Sequence, residues 1–293
     1  TVLVLFPDCI KEGFQEVVFI KKTDNFIATW EGHKYTKEEA KAVSGIEKIY
    51  WLEDMDNILH ELILLSRRIY VNNNENDRYI TDILSRDLRF TQALQKKYPA
   101  HKYHRSQPIL RKMAMIKSKY EIELIQKACD ITQNAFHRVL EFVRPGVMEY
   151  EIEAELSHEF LRNRSKGFAY TPIIASGKNA CVLHYIENNQ RCKDGQVILM
   201  DFGANYANYC SDLTRCVPVN GKFTERQKQI YKAVLHVKNE ATKLLVPGVI
   251  LADYHKEVGL IMQDQLLNVG LLDKADIQNQ DAKNPAYRKY FMH

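Results

Sequence analysis

Residues 197–219, VILMDFGANYANYCSDLTRCVPV, carry two aspartates eleven positions apart, Asp201 and Asp212. Val197 to Phe202 is apolar and β-prone, Gly203 to Asn208 is turn-rich, and Tyr209 to Val219 is again strand-like. The segment therefore reads as a β-hairpin. A turn centred on Tyr206 and Ala207 places Asp201 directly opposite Asp212, with Cβ atoms about 4.5–5.5 Å apart on one face. Like charges facing each other in a sheet are destabilising unless something offsets them. A shared divalent cation is the simplest offset, so the hairpin reads as half of a metal site. Hard carboxylates suit Mn, Mg, Ca or Zn. A pair of carboxylates that can bridge fits a two-metal site, with ions about 3.5–4 Å apart.

The residues around the hairpin follow a repeated pattern. Ser118 and Glu121 form a capping box, and Ile122, Ile125, Ala128, Ile131, Ala135, Val139 and Phe142 then recur at helical spacing. That helix stops at Arg144-Pro145-Gly146, and a second follows over Glu149 to Arg162. Thr224 and Gln227 make another capping box, leading into a helix that breaks at Pro247-Gly248 and a further helix closed by Gly270. The two Pro-Gly stops and the helices around them suggest a duplicated half-domain. In the second copy the equivalent hairpin falls past His293.

Residues 1–107 alternate strand and helix signals. VLVLF, EVVFIKK, FIATW, KIYWL and RIYVN read as short strands. Thr36 with Glu39 caps a short helix, and Asp54 to Arg67 and Ile80 to Tyr98 read as helical. Such alternation predicts an α/β layer, with a polar linker over Pro99 to Pro108. The expected division is a first domain at 1–107 and a second, α+β domain at 108–293.

The chain has 293 residues, 45% hydrophobic and 27% charged, as an ordinary globular protein does. Its net charge of +4 is spread out, which argues against nucleic-acid binding. No apolar run approaches the ~18 residues of a membrane span, and no secretory signal is visible. Six cysteines without a C-x-x-C pair fit a reduced, cytoplasmic protein better than a zinc cluster. Thr1 opens directly in an apolar run and the chain stops at Phe291-Met292-His293. The expectation is an internal fragment of a longer protein, cut at both ends.

The hairpin, the Ser118 helix and the stretch ASGKNACVLHYIENN at 175–189 resemble the Xaa-Pro aminopeptidase (aminopeptidase P) branch of the pita-bread metallopeptidase family. That family also holds prolidase, methionine aminopeptidase and creatinase. The resemblance is strongest over about 110–221. It implies a catalytic domain of two helix–helix–hairpin halves, holding two metal ions with two Asp, one His and two Glu. Asp201 matches the ligand that chelates one ion, Asp212 the ligand that bridges both, and Thr214 a residue behind them. His184 matches a substrate-facing histidine, and His293 a second active-site histidine. The ligand His and both Glu have no counterpart in this sequence.

The resemblance further implies an exopeptidase that removes the residue ahead of a proline, by attack of a metal-bridging hydroxide, most commonly with Mn and alternatively with Co or Zn. Its partners would be proline-containing peptides and further copies of itself, as a dimer or tetramer. Residues 1–293 alone would be inactive. Two alternatives stay open: a prolidase that cleaves only Xaa-Pro dipeptides, and a non-catalytic peptide- or protein-binding member of the fold. The aspartate pair, Asp201 and Asp212, argues against a creatinase-like member. Tyr170 and Tyr185 read as packing or pocket aromatics.

Overall fold

The computed structural model describes residues 1–73, 75, 82–281 and 284–291. These form two compact units, Thr1–Ile116 and Lys117–His293.

In the first unit, β1 (Val2–Leu5), β2 (Glu16–Ile20) and β3 (Lys48–Trp51) form a sheet in that order, β1 antiparallel and β3 parallel to β2. Strand β2 is buried on both faces, as its unbroken apolar run requires. Val17 and Phe19 pack with Leu62, while Val18 and Ile20 pack with Ala40 and Ile49. Between β2 and β3 come α1 (Asn25–Glu31) and α2 (Lys37–Ser44), which supplies Ala40. After β3, α3 (Met55–Leu65) supplies Leu62 and leads to β4 (Arg68–Val71). Then α4 (Arg86–Lys97) leads to β5 (Lys102–Arg105), which pairs in parallel with β4, and α5 (Gln107–Met115) follows. The α/β character is as expected.

Three local expectations are corrected. FIATW is not a strand but most of α1: the Asp24 carboxylate accepts the Ile27 N–H at 2.8 Å and starts a helix at the preceding turn. The helix expected from Ile80 starts at Arg86, where Ser85 caps it, and the residues up to 81 lie outside those described. The expected linker contains β5 and the start of α5. The expected division after residue 107 and the observed one after Ile116 are thus separated by α5.

The second unit opens with α6 (Lys119–Phe142) and α7 (Glu149–Arg162). Strands β6 (Ile173–Ser176) and β7 (Val197–Phe202) follow, then two short rungs, β8 (Asn205–Tyr206) and β9 (Tyr209–Cys210), and β10 (Leu213–Pro218). The sheet order is β10-β7-β6, all antiparallel. Ile198, Met200 and Phe202 of β7 are fully buried against Ile131, Ala135 and Val139 of α6 and Ile152, Leu156 and Phe160 of α7. Each such side chain contributes about 1.5–3 kcal/mol on burial, so this layer anchors the sheet. Val197, Leu199 and Asp201 alternate onto the other face, where burial is only partial.

The helix pair recurs as α8 (Glu225–Leu244) and α9 (Leu251–Asn268), with a short α10 (Lys274–Gln278) beyond. Both expected capping boxes are formed, Ser118 with Glu121 and Thr224 with Gln227. Gly146 and Gly248, between the members of each pair, both take a left-handed φ, 98° and 90°. Val237 and Ala241 of α8 pack against Val258 of α9.

Candidate metal centre

The hairpin forms where expected, but its register differs. Asp201 pairs with Thr214 and Phe202 with Leu213, and the ladder continues through Asn205–Cys210 and Tyr206–Tyr209. The turn residues are Ala207 and Asn208, with φ of 51° and 67°, the paired left-handed conformation of a type I′ hairpin turn. The centre lies one residue beyond the expected one, because Asn208 accepts this conformation more readily than Tyr206. Each cross-strand partner therefore moves by two, and Asp212 falls opposite Gly203 rather than Asp201. A shift of two preserves the face, so both aspartates still project from one side as diagonal neighbours. Gly203 is required by this register, since a Cβ there would run into the carbonyl oxygen of Ser211.

A third side chain completes the cluster. The segment before β6 runs along the hairpin arm: Lys166 N–H donates to Asn205 O at 2.9 Å, Asn205 N–H to Gly167 O at 3.0 Å, and Ala169 N–H to Gly203 O at 2.8 Å. The next residue, Tyr170, thereby reaches the aspartates. Its Oη lies 2.6 Å from Asp201 Oδ1 and 2.9 Å from Asp212 Oδ1. Burial, and then the bonds to the two carboxylates, push the phenol well above the usual tyrosine range, so it remains a donor. The packing role expected for Tyr170 is corrected to a polar one. Its placement depends on hydrogen bonds to a distant strand, which local spacing does not encode.

The hairpin is pinned to α6 by a buried polar group. Thr132 Oγ1 and Ser211 Oγ are 2.6 Å apart, and the Ala204 N–H donates to both at 2.9 Å. Ser211 directly precedes Asp212, so this knot fixes where that carboxylate leaves the strand. Tyr209 Oη also donates to Glu121 Oε1 at 3.2 Å, tying the hairpin tip to the first turn of α6.

Asp201 is half-buried, and Asp212 and Thr214 are exposed on the same face. His184 lies in an exposed turn after a 3-10 segment, Gly177–Cys181. Tyr185 is buried against Ile173 and Ala175, the packing role its sequence suggested. His293 lies outside the described residues. Among the described residues no three His, Cys, Asp or Glu side chains converge as a metal cluster. The structure thus brings together two hard oxygen donors and a phenol. Two carboxylates near enough to share one proton fit a divalent cation in the proton's stead.

The pattern described as "Metallopeptidase family M24" matches residues 123–293, and that described as "Aminopeptidase P, N-terminal domain" matches residues 1–70. The Xaa-Pro aminopeptidase of Haemophilus influenzae is 32% identical over 277 residues, covering 94% of this chain and 62% of that protein. That of Escherichia coli is 32% identical over 285 residues, covering 94% and 63%. The solved structure of Pseudomonas aeruginosa aminopeptidase PepP superposes with a TM-score of 0.80 at 31% identity, covering 92% of this chain and 61% of that one. The chain spans less than two thirds of the length of each of these relatives.

Proposed function

The chain belongs to metallopeptidase family M24, and on that premise we propose that the whole protein is a metal-dependent exopeptidase removing the N-terminal residue from peptides with proline second. The observation that carries this reading is the convergence of Asp201 and Asp212 on one hydroxyl, on a partly open sheet face. The names of the Haemophilus influenzae and Escherichia coli relatives supply the proline specificity.

Asp201 and Asp212 would hold two divalent ions, manganese foremost, with one His and two Glu from outside residues 1–293 completing the set. When bound, such ions make hydroxide available near neutral pH and offset the charge that develops on the attacked carbonyl. Within this chain, Asp201 and Asp212 fix the negative charge on the sheet face, and Tyr170 orients both carboxylates through its proton. Thr214, opposite Asp201, shares that face. His184 would donate a hydrogen bond to the peptide carbonyl, and His293 would help orient the proline. The substrate bond suits selection by shape, because the imide of proline has no N–H and a ring of fixed φ. With two of five ligands, residues 1–293 alone would bind metal weakly and turn over little or no peptide. A reduced, cytoplasmic setting accords with six free cysteines, and self-association to a dimer or tetramer belongs to the same reading.

The test is hydrolysis by the full-length protein with Mn²⁺. Release of Xaa from an Xaa-Pro-Yaa tripeptide, abolished by a chelator and absent with alanine in place of proline, is the expected result. Cleavage of Xaa-Pro dipeptides alone would make it a prolidase. No cleavage of either would leave a peptide-binding protein.

A further inference from the structure

We propose that Glu149 is a positioning residue: its buried carboxylate holds the loop of residues 177–190, and with it His184, on the aspartate side of the sheet. The inference rests on the peptidase reading of that face. Glu149 begins α7 and is 0% exposed. A buried carboxylate is costly unless its oxygens are bonded, and this one takes four donors. Oε1 accepts the Ser176 N–H and the Ser176 hydroxyl, each at 2.7 Å. Oε2 accepts the Tyr185 hydroxyl at 2.7 Å and the Gln190 N–H at 2.9 Å. All four donors are neutral, and the N-terminus of α7 adds favourable field.

The donors map onto the loop in a particular way. Ser176 is the residue before it, Gln190 is its last residue, and Tyr185 lies within it. One carboxylate therefore fixes both feet and the middle of a single loop. The Tyr185 ring packs on Ile173 and Ala175, which pair with Asp201 and Leu199. These residues share the face of Asp201, opposite the face that Ile174, Ile198 and Met200 bury on the helices. Tyr185 is thus held on the aspartate side, and His184 is its immediate neighbour, exposed.

The charge itself is needed. Each carboxylate oxygen accepts one backbone N–H, from Ser176 or from Gln190. A glutamine amide must point its NH2 at one of those two N–H groups, and neither can reverse. A shorter aspartate would withdraw from all four donors. Glu149→Gln should therefore release one foot of the loop while changing little volume.

The experiment uses the full-length, Mn²⁺-loaded protein with E149Q, Y185F, H184A and E149Q/H184A variants. In E149Q, amide hydrogen exchange over residues 177–190 should rise about tenfold or more, with α6 and β7 unchanged. Y185F, which frees only the middle of the loop, should show a smaller rise and folds even if E149Q does not. On an Xaa-Pro tripeptide, E149Q and H184A should each lower kcat/KM, and the double variant should be no worse than H184A alone, because both remove one function. Unchanged loop exchange in both E149Q and Y185F would overturn the proposal, as would losses from E149Q and H184A that multiply. An inactive wild type would instead overturn the peptidase reading. The exchange measurement, which needs no activity, tells the two failures apart.

Discussion

The carboxylates of Asp201 and Asp212 share one phenolic proton, with Tyr170 Oη 2.6 Å from the first and 2.9 Å from the second. A single proton offsets two like charges only in part. The arrangement therefore stores a demand for positive charge on the open face of the sheet, which a divalent cation meets better.

Tyr170→Phe removes the shared donor and leaves the carboxylates to repel. The metal-free protein should lose about 1–2 kcal/mol, since hydrogen bonds to charged groups are worth about 1.5–3 and this site is partly solvated. Saturating Mn²⁺ should restore most of the loss. Thermal unfolding of both proteins with and without the metal checks this, and identical metal-free midpoints would contradict it.

Gly203→Ala drives a methyl into the Ser211 carbonyl. The hairpin must spread or slip, at a cost of about 1–3 kcal/mol or more, as for other overpacked positions. Calorimetry should show a lower Tm, and Mn²⁺ affinity should fall with it because Asp212 lies opposite this residue.

Thr132→Val keeps the shape but deletes one corner of the buried Thr132–Ser211–Ala204 knot. The Ala204 N–H keeps its bond to Ser211, so the cost should be about 1–2 kcal/mol rather than that of a fully orphaned donor. Urea unfolding measures it, and Thr132→Ser should recover most of the difference.

Burial, and then the bond to Glu149, push the Tyr185 hydroxyl up to about 12. The folded value exceeds the unfolded one, so the protonated phenol adds stability that is fully present below about pH 10, the ordinary tyrosine value. That stability is lost as pH rises through about 12. The gap in unfolding midpoint between wild type and Tyr185→Phe should be constant below pH 10 and close above it. A gap independent of pH would contradict the bond to Glu149.

What could be read from the sequence was local. The capping boxes at Thr36, Ser118 and Thr224 marked α2, α6 and α8 because the signal and the helix lie within one turn. The hairpin was legible from alternation, and the shared face of Asp201 and Asp212 survived a register error because that error was an even number of residues. FIATW misled because β-prone side chains carried a helix whose start was set by Asp24 outside the run. Polar residues at 102–105 looked like linker, yet they pair with β4 more than thirty positions earlier. Tyr170, Thr132 and Glu149 each act on partners that are distant in sequence, so neither spacing nor residue type gave these roles, and Tyr170 read only as a packing or pocket aromatic. They account for how the two aspartates and the neighbouring loop are held.

Asp201 and Asp212 are proposed to hold the metal at which an Xaa-Pro bond is hydrolysed. The most direct measurement is Mn²⁺-dependent release of the first residue from an Xaa-Pro-Yaa tripeptide by the full-length protein, compared with its D201N and D212N variants. Each variant should stay folded and lose about 100-fold or more in kcat/KM, since even residues that only orient ligands cost about 10–100-fold. Wild-type rates in either variant, or activity indifferent to removal of the metal, would contradict it.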